Sequence, residues 1–264
     1  MNLKALCDAA KQPVKEAAVF IREQRKSFSQ SVVEYKGFND LVSYVDKNAE
    51  QLLVERLKII FPEAGFITEE NTAGSEGQDY NWIIDPLDGT TNFVHGLPCF
   101  CVSVALAFKG TVVLGIIHEI NLDECFYAWQ DGGAWMNGNR IYVSPISELK
   151  KSLLATGFPY TNFSRMKEYM EVFDYCMRNT HGLRRLGSAA VDMAYVACGR
   201  LEGFYEYGLN AWDIAAGCCI IKEAGGSVAD FSGGDNFLFG KELVATNSGI
   251  YNEFLSVVKD KFNS

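Results

Sequence analysis

The sequence contains no long hydrophobic run. No stretch reaches the roughly 18 consecutive apolar residues that a membrane helix requires. The N-terminus, M-N-L-K-A-L-C-D-A-A-K, mixes charged and apolar residues where a signal peptide would carry an uninterrupted apolar segment. We therefore expect a cytoplasmic protein with no membrane association.

Positive charge is also scarce. The chain has 24 Lys and Arg against 33 Asp and Glu, which gives a formal net charge of -9. Non-specific nucleic-acid binding depends on basic residues that neutralise phosphates, so we expect no nucleic-acid partner. An anionic ligand would need a local attraction that this net charge does not supply.

The cysteines and histidines form no recognisable metal pattern. Cys99 and Cys101, with His95 nearby, are the only grouping that resembles a soft-metal site, and it lacks the second ligand pair that zinc sites usually have. Without a secretory signal, the eight cysteines should stay reduced and act mainly in packing. We expect His95, His118 and His181 to be structural.

The chain also lacks internal repeats, low-complexity segments and flexible linkers. Its length of 264 residues, 48% of them apolar, is enough for a substantial core. We expect a single unit over residues 1–264, with an N-terminal α+β half at 1–145 and a C-terminal α/β half at 146–264.

Hydrophobic periodicity predicts helices in both halves. Apolar residues spaced by three and four over residues 3–26 indicate an amphipathic helix, and a second helix is expected from Asn39 or Asp40 to Pro62. The polar segment between them predicts a loop or hairpin. Further helices are expected near 165–178, at 189–198 and at 211–224.

Short apolar runs bounded by turn residues predict strands at 65–68, 82–84, 101–108, 111–118, 125–129 and 153–156. An Asn-Gly pair within residues 131–140 predicts a tight hairpin. Strands covered by two helices, followed by strands that alternate with helices, indicate a mixed α/β fold.

The stretch N-W-I-I-D-P-L-D-G-T-T-N-F at 81–93 ends an apolar run with two carboxylates. Pro86 fixes the backbone between Asp85 and Asp88, so both acids can point into the same small volume. Asp-Pro and Asp-Gly are common turn dipeptides, and this pair alone would indicate only a turn. Its significance depends on acids elsewhere in the chain.

Three such acids stand out. Glu69 and Glu70 end the preceding apolar run, and Asp213 lies at the predicted start of a helix in A-W-D-I-A-A-G. If Glu69 and Asp213 join the Asp pair at about 5 Å, each like-charge contact costs on the order of 3 kcal/mol at an effective dielectric near 20. Cations would hold such a cluster ionised, and its all-oxygen donors favour Mg²⁺ or Mn²⁺ over Zn²⁺.

Gly89-Thr90-Thr91 follows the second Asp. If a helix begins there, its free N–H groups and its dipole favour an anion, and glycine allows the anion to approach the backbone. Bound divalent ions would reverse the local field, so an acidic protein could still bind a phosphate.

On these motifs the sequence resembles the inositol monophosphatase family of Mg²⁺-dependent, lithium-sensitive phosphatases. The resemblance rests on Glu69-Glu70, on 82–93 and on W-D-I-A-A-G with E-A-G-G at 212–226, with weaker matches at 39–46, 132–138 and 187–190. It implies a layered αβαβα sandwich of the inositol monophosphatase and fructose-1,6-bisphosphatase type. It also implies two or three Mg²⁺ ions, a small phosphate ester as substrate, metal-activated water as the nucleophile, and a homodimer.

The resemblance also implies residue roles, position by position. Metal binding falls to Glu69, Asp85, the backbone carbonyl of Leu87, Asp88 and Asp213, with Asp46 and Lys36 near a more weakly held ion. Glu70 and Thr90 would orient and deprotonate the attacking water. The phosphate would be held by Gly89, Thr90 and Thr91, and the leaving alcohol by Ser188, Ala189, Ala190 and Glu206.

Simpler interpretations exist for three of these residues. Asp46 could only complement the dipole of its helix, because a carboxylate is favourable in the first turn. Glu206 could be a surface residue, and Lys36 could be a solvated side chain in a loop.

The motif at 85–90 also resembles that of another phosphatase class. Phosphatases of the haloacid-dehalogenase type use Asp-x-Asp-Gly-Thr with the first Asp as nucleophile. Here one additional residue separates the acids, so no phospho-aspartate is expected.

The alternative from a different class is a transcription-associated protein-binding factor. Some bacterial members of the resembled family have such a role. Thr-Thr-Asn-Phe at 90–93 resembles inositol monophosphatases, fructose-1,6-bisphosphatases and some histidinol-phosphate phosphatases alike. Among these we expect an enzyme of the inositol-1-phosphate type, with fructose-1,6-bisphosphate, histidinol phosphate or a broader range of sugar and polyol monophosphates as the alternatives.

Overall fold

The computed structural model describes residues 1–28, 34–37, 40–72, 76–160 and 162–262, without the side chains of 34–37 and 40–42. Within these ranges the helices are α1 Leu3–Ser27, α2 Tyr44–Ile60, α3 Thr90–His95, α4 Met166–Asn179, α5 Ala189–Ala197, α6 Ala211–Glu223, α7 Phe237–Gly240 and α8 Tyr251–Phe262. In this part of the chain, no helix has both the length and the apolar character to cross a bilayer.

The strands in the same ranges are β1 Glu34–Gly37, β2 Asp40–Val42, β3 Gly65–Thr68, β4 Tyr80–Asp88, β5 Cys101–Phe108, β6 Thr111–Glu119, β7 Glu124–Trp129, β8 Gly133–Met136, β9 Asn139–Arg140, β10 Leu153–Thr156, β11 Gly182–Arg184, β12 Gly203–Tyr207, β13 Ser227–Ala229 and β14 Glu242–Thr246. β1 and β2 form an antiparallel hairpin. β3 to β9 form a seven-stranded sheet in chain order, and a five-stranded sheet has the order β11-β10-β12-β14-β13.

Five layers result from the way the helices cover the two sheets. α1 and α2 pack on one face of the seven-stranded sheet, and α5 and α6 lie between the two sheets. α4 and α8 cover the outer face of the five-stranded sheet. This arrangement confirms the predicted layered αβαβα architecture.

Both faces of the seven-stranded sheet are buried. Trp82 and Ile84 pack beneath α1 and α2, whereas Ile83 between them joins the core formed with α5 and α6. Successive residues of a strand point to opposite faces, so a strand buried on both sides is apolar at nearly every position. For this reason β5 reads as C-V-S-V-A-L-A-F, an apolar run that only Ser103 interrupts.

The five-stranded sheet follows the same rule. Leu154 and Tyr205 pack beneath α4 and α8, and Ala155 and Phe204 face the central helices. Its strands come from residues 153–246, whereas those of the seven-stranded sheet come from 65–140. Residues 141–152 connect the two sheets, and the division of the chain at 145 and 146 stays a prediction.

The predicted start of the second helix is wrong. Asp40 belongs to strand β2, Asn39 lies outside the described residues, and α2 begins at Tyr44. Ser43 is its N-cap and forms a capping box with Asp46. A Ser with an acid three residues later satisfies the free N–H groups of a first turn, and that local signal fixes the boundary.

Candidate active site

Glu69 and Asp85 are brought together by parallel pairing. β3 and β4 run parallel with Thr68 opposite Ile84, so Glu69 and Asp85 follow at the same edge of the sheet. The Glu69 N–H donates to the Ile84 carbonyl at 3.3 Å and continues this pairing by one residue.

A bulge in β4 brings Asp88 to the same side. The strand does not end at Ile84 as predicted, since it continues to Asp88. Asp85 pairs with Ser103 and Asp88 with Cys101, so three steps along β4 match two along β5. In a regular strand, residues three apart point to opposite faces, and one extra residue restores a common face. Pro86 fits there because a bulge does not require its missing N–H.

Helix α3 begins directly after the bulge, which is the condition that the expected phosphate site at residues 89–91 requires. Gly89 is its N-cap, with φ of 93°, a left-handed conformation that side chains rarely adopt. A Cβ at this position would lie 2.9 Å from the Cys99 carbonyl oxygen. Gly89 is therefore required for both its conformation and its close packing, and Thr90 and Thr91 form the first turn.

The Asp88 carboxylate is held by the N-terminus of α5. Its Oδ2 accepts hydrogen bonds from Ser188 Oγ at 2.6 Å and from the Ala190 N–H at 2.7 Å. Ser188 is also the N-cap of α5. Ser188 and Ala190 therefore act on an acid of the site, and not only on the leaving alcohol that the resemblance assigned to them.

Asp213 is oriented by its own helix. It is the third residue of α6, and its Oδ2 accepts a hydrogen bond from the Asn210 N–H at 2.6 Å within a capping box. This confirms that Asp213 stands at the start of a helix.

A cavity of about 280 Å³ joins these segments. The residues assigned from sequence that line it are Glu69, Asp85, Leu87, Asp88, Gly89, Thr90, Thr91, Ser188, Ala189, Glu206 and Asp213. Glu70, Asp46 and Ala190 do not line it, and the Lys36 side chain lies outside the described residues. The four acids of the proposed cluster therefore share one cavity, although they come from three separate parts of the chain.

The electrostatics of the cluster are unfavourable to negative charge. Burial raises the pKa of Asp85 well above its ordinary value, and Glu69, Asp88 and Asp213 raise it further. Burial and then the charge of Asp88 raise the pKa of Asp213 to about 7. Burial also raises the pKa of Asp88, although its bonds to Ser188 and Ala190 oppose the effect. A bound cation would relieve this repulsion.

The oxygen donors of the acid cluster are chemically suited to a hard divalent cation. Carboxylate and carbonyl oxygens are the ligands that Mg²⁺ prefers. Among the described residues, no three His, Cys, Asp or Glu side chains already form a metal-ligand group. Asp88 and Asp213 each direct one oxygen to a helix N-terminus, which leaves the second oxygen of each for a metal.

The Thr90 hydroxyl contacts the carboxylate of Asp46, which the resemblance assigned to a weakly held metal ion and not to Thr90. Its Oγ1 lies 3.1 Å from Asp46 Oδ1 and 2.9 Å from the Leu87 carbonyl oxygen, and it can donate to either. Asp46 is fully buried, and its Oδ2 accepts from Ser43 N–H at 2.9 Å and from Ser43 Oγ at 2.7 Å. Asp46 therefore caps the first turn of α2, as the simpler interpretation of this residue expects. It also contacts Thr90, a candidate catalytic residue.

Sequence reasoning missed two charged residues in the cavity wall. Asp192 is 1% exposed, and its Oδ1 has no hydrogen-bond partner among the described residues. Arg185 donates from Nη2 to the Tyr160 hydroxyl at 2.6 Å, and its guanidinium lies 5.5 Å from the Phe158 ring centre. Both flank G-S-A-A at 187–190, so their proximity to that motif was the available signal.

Glu206 proves to be buried. It is 7% exposed on β12, and it packs against Gly157, where a Cβ would collide with its carboxylate. Burial raises its pKa well above the ordinary value, and the charges of Asp213 and Asp192 raise it further. The interpretation of Glu206 as a surface residue is therefore wrong.

The sequence of the chain is similar to those of proteins of one known family. The profile of the inositol monophosphatase family matches residues 2–261. The chain belongs to the inositol monophosphatase family. It is 43% identical to an inositol-1-monophosphatase of Mesorhizobium japonicum over 229 residues, 86% of each chain. It is 40% identical to the Nus factor SuhB of Escherichia coli over 230 residues, again 86% of each.

A solved structure supports the same family assignment. The inositol monophosphatase from Anabaena superposes with a TM-score of 0.86 at 33% identity, covering 98% of this chain and 97% of that one. Family membership confirms the resemblance drawn from the motifs and supports phosphatase chemistry. Because the relatives include both an inositol-1-monophosphatase and Nus factors, similarity does not determine the substrate.

Proposed function

We propose that this protein is a Mg²⁺-dependent phosphatase that hydrolyses polyol phosphate monoesters, with inositol-1-phosphate as the preferred substrate. One observation carries the proposal: Glu69, Asp85, Asp88 and Asp213 line the same cavity as the start of α3 and as Glu206, Asp192 and Arg185. The acid cluster and the helix start suit a metal-bound phosphate, and the other polar side chains suit a hydroxylated alcohol.

The residues that would hold Mg²⁺ are Glu69, Asp85, the Leu87 carbonyl, Asp88 and Asp213, with Mn²⁺ as a possible substitute. A bound Mg²⁺ would lower the pKa of the water that it coordinates, and it would neutralise negative charge on the phosphate and on the leaving oxygen. Gly89, Thr90 and Thr91 would offer backbone N–H groups to the phosphate, because the first N–H groups of a helix have no partner within it.

Thr90 and Asp46 are the pair that we assign to the attacking water. A Thr90 hydroxyl that donates to Asp46 keeps its oxygen lone pairs available to accept a hydrogen bond from water. The buried Asp46 carboxylate behind it can then receive a proton through the hydroxyl. Glu70 was the expected partner of Thr90, and its role as the base remains a second proposal that mutation can separate from the first.

The charges in the cavity wall favour a monophosphate of a neutral polyol. Arg185 is the one basic side chain among the described residues that line the cavity. A second phosphate in the alcohol pocket would meet the acidic side chains of Glu206 and Asp192 and would find no second basic side chain among the described residues of the lining. Carboxylates can instead accept hydrogen bonds from polyol hydroxyls, and Arg185 can donate one.

Phosphate release from four substrates tests the proposal: inositol-1-phosphate, fructose-1,6-bisphosphate, histidinol phosphate and 3'-phosphoadenosine 5'-phosphate, each with Mg²⁺. We expect the highest kcat/KM for inositol-1-phosphate and loss of activity in EDTA. A higher value for either bisphosphate would replace the proposed substrate, and no release from any of the four would reject the phosphatase proposal. Lithium should inhibit by competing with a weakly held Mg²⁺, and an unchanged rate in millimolar Li⁺ would contradict that.

A second candidate function is a role as a transcription-associated protein-binding factor. It is favoured by the relatives named Nus factor SuhB, which are 40–42% identical to this chain. An Asp88→Asn variant separates the two functions because it alters the acid cluster. Retention of all cellular function by this variant without phosphatase activity would favour the binding role.

A further inference from the structure

Helix α2 holds the segment that carries Glu69. Glu50, fully buried on α2, accepts a hydrogen bond from the Glu70 N–H at its Oε2, at 2.8 Å. Its Oε1 accepts from the Thr72 N–H at 2.8 Å and from Thr72 Oγ1 at 2.7 Å. Both oxygens of one carboxylate therefore bind residues 70–72, directly after the candidate metal ligand.

The sheet gives this segment little support. The pairing of β3 with β4 ends at Thr68, and the Glu69 N–H makes one further bond to Ile84 at 3.3 Å. At Asn71 the backbone is left-handed, with φ of 55°, so the chain turns away from the strand direction. The charge-assisted bonds to Glu50 are shorter than the last sheet bond, and such bonds are stronger than neutral ones.

Glu50 also lies one helical turn after Asp46, the residue that contacts Thr90. Residues four apart on a helix share one face. A single face of α2 therefore contacts the β3–β4 connection through Glu50 and the start of α3 through Asp46. These two segments carry Glu69 and Thr90, which both line the cavity.

We propose that Glu50 is a positioning residue that sets the distance between Glu69 and Asp85, and with it the affinity of the cavity for a divalent cation. The inference rests on the proposed metal-dependent function. Residues that orient metal ligands typically contribute 10- to 100-fold to affinity.

Glu50→Gln tests the inference with little change in volume. Glutamine keeps one acceptor oxygen, but it places an NH₂ group against one of the two backbone N–H groups, so one end of the 70–72 segment loses its anchor. Glu55→Gln is the matched control, because Glu55 is exposed on the same helix and accepts a hydrogen bond from Gln51 at 3.0 Å. Titration calorimetry with Mg²⁺ and Mn²⁺ measures affinity independently of activity.

We expect the Kd for both ions to rise by about 10- to 100-fold in Glu50→Gln. The kcat at saturating Mg²⁺ should stay near the wild-type value, and Glu55→Gln should match the wild type throughout. A folded Glu50→Gln protein with a lower melting temperature but unchanged Kd would show that Glu50 only stabilises the fold, and would overturn the inference. If wild-type protein binds neither ion, the proposed function fails instead.

A second variant covers the case in which Glu50→Gln does not fold. Thr72→Val removes only the hydroxyl donor and leaves both backbone bonds to Glu50 in place. We expect a smaller rise in Kd, about threefold, in line with the loss of one hydrogen bond. An unchanged Kd in this variant would count against the inference.

Discussion

Three acids of the site lie at helix N-termini. Asp46 and Asp213 are the third residues of α2 and α6, and Asp88 accepts from the first turn of α5. The first N–H groups of a helix have no partner within it, so a carboxylate there gains directed hydrogen bonds and a favourable dipole. Each acid is thus oriented by the backbone while it stays in an environment that raises its pKa.

The assignment of Thr90 to Asp46 can be tested at the level of single residues. In Asp46→Asn the Thr90 hydroxyl loses a carboxylate that can take its proton, so we expect kcat to fall by about 10²- to 10⁴-fold. Glu70→Gln should reduce kcat less. Both variants are compared by phosphate release at saturating Mg²⁺, with circular dichroism to verify folding. A greater loss in Glu70→Gln would return the role to Glu70.

Metal binding should depend on pH through Asp213. Its pKa of about 7 is well above the ordinary value of 3.8, so at pH 6 the folded protein holds a proton that a cation must displace. We expect Mg²⁺ to bind more tightly at pH 8 than at pH 6, with proton release at the lower pH. Calorimetry in two buffers of different ionisation enthalpy measures that release. The pH dependence should weaken in Asp213→Asn, and an equal dependence would exclude Asp213 as its source.

At the scale of elements, the junction between β4 and α3 forms the site. The bulge at Asp85 to Asp88 aligns two acids, and the left-handed Gly89 then turns the chain directly into a helix. A regular strand would separate the acids, and a longer turn would move Thr90 away from Leu87. The spacing of the motif D-P-L-D-G-T therefore follows from one bulge and one turn.

Substitution of Gly89 tests this junction. Gly89→Ala combines a left-handed backbone with contacts at 2.9 Å to the Cys99 carbonyl oxygen and 3.1 Å to Phe100 Cβ. Gly110→Ala is the matched control, because Gly110 has φ of +81° and nothing lies within 4 Å of the position that its new methyl group would take. We expect about 1–2 kcal/mol of destabilisation in the control and about 1–3 kcal/mol more at Gly89. Urea unfolding measures both, and equal losses would contradict the packing argument.

Element types were predictable where the pattern is local. The apolar spacing of α1 and the Asn-Gly hairpin needed only neighbouring residues, and Asn137 and Gly138 have the positive φ values that such a turn requires. The start of α2 was predicted too early, because Asn39 and Asp40 are also residue types that begin helices. In the structure the capping box of Ser43 and Asp46 begins the helix. The length of β4 was underestimated because a proline such as Pro86 ordinarily ends a strand. In this structure the bulge accommodates Pro86, and the strand continues to Asp88.

At the scale of the whole molecule, the acid cluster connects the seven-stranded sheet to the helix layer between the two sheets. Asp85 and Asp88 come from that sheet, and Asp213 lies in the first turn of α6, which packs between the sheets. A ligand that joins these residues should stabilise the entire fold and not only the cavity, because unfolding of either half destroys the site.

Mg²⁺ should therefore raise the global unfolding temperature. At 100 times its Kd, a ligand that binds only the folded state contributes about 2.7 kcal/mol. At one fixed Mg²⁺ concentration the rise should be larger at pH 8 than at pH 6, because at pH 8 the ion does not have to displace a proton from Asp213. The raised pKa of Asp213 also makes the metal-free fold less stable as pH increases from about 4 to 7. Calorimetry with Mg²⁺ and with EDTA measures the change, and Asp213→Asn should lose most of it. An equal rise in that variant would place the bound ion elsewhere.

The sequence by itself determined the family of this protein and the donor chemistry of its candidate site, because oxygen donors, a glycine before a helix and a specific acid motif are properties of adjacent residues. The tertiary structure decided which distant residues act together. Asp46 meets Thr90 across 44 positions of the chain, Glu50 holds the 70–72 segment, and Arg185 and Asp192 enter the cavity wall. Contacts of this kind depend on how helices pack on sheets, and no local pattern encodes the distance between elements far apart in the chain.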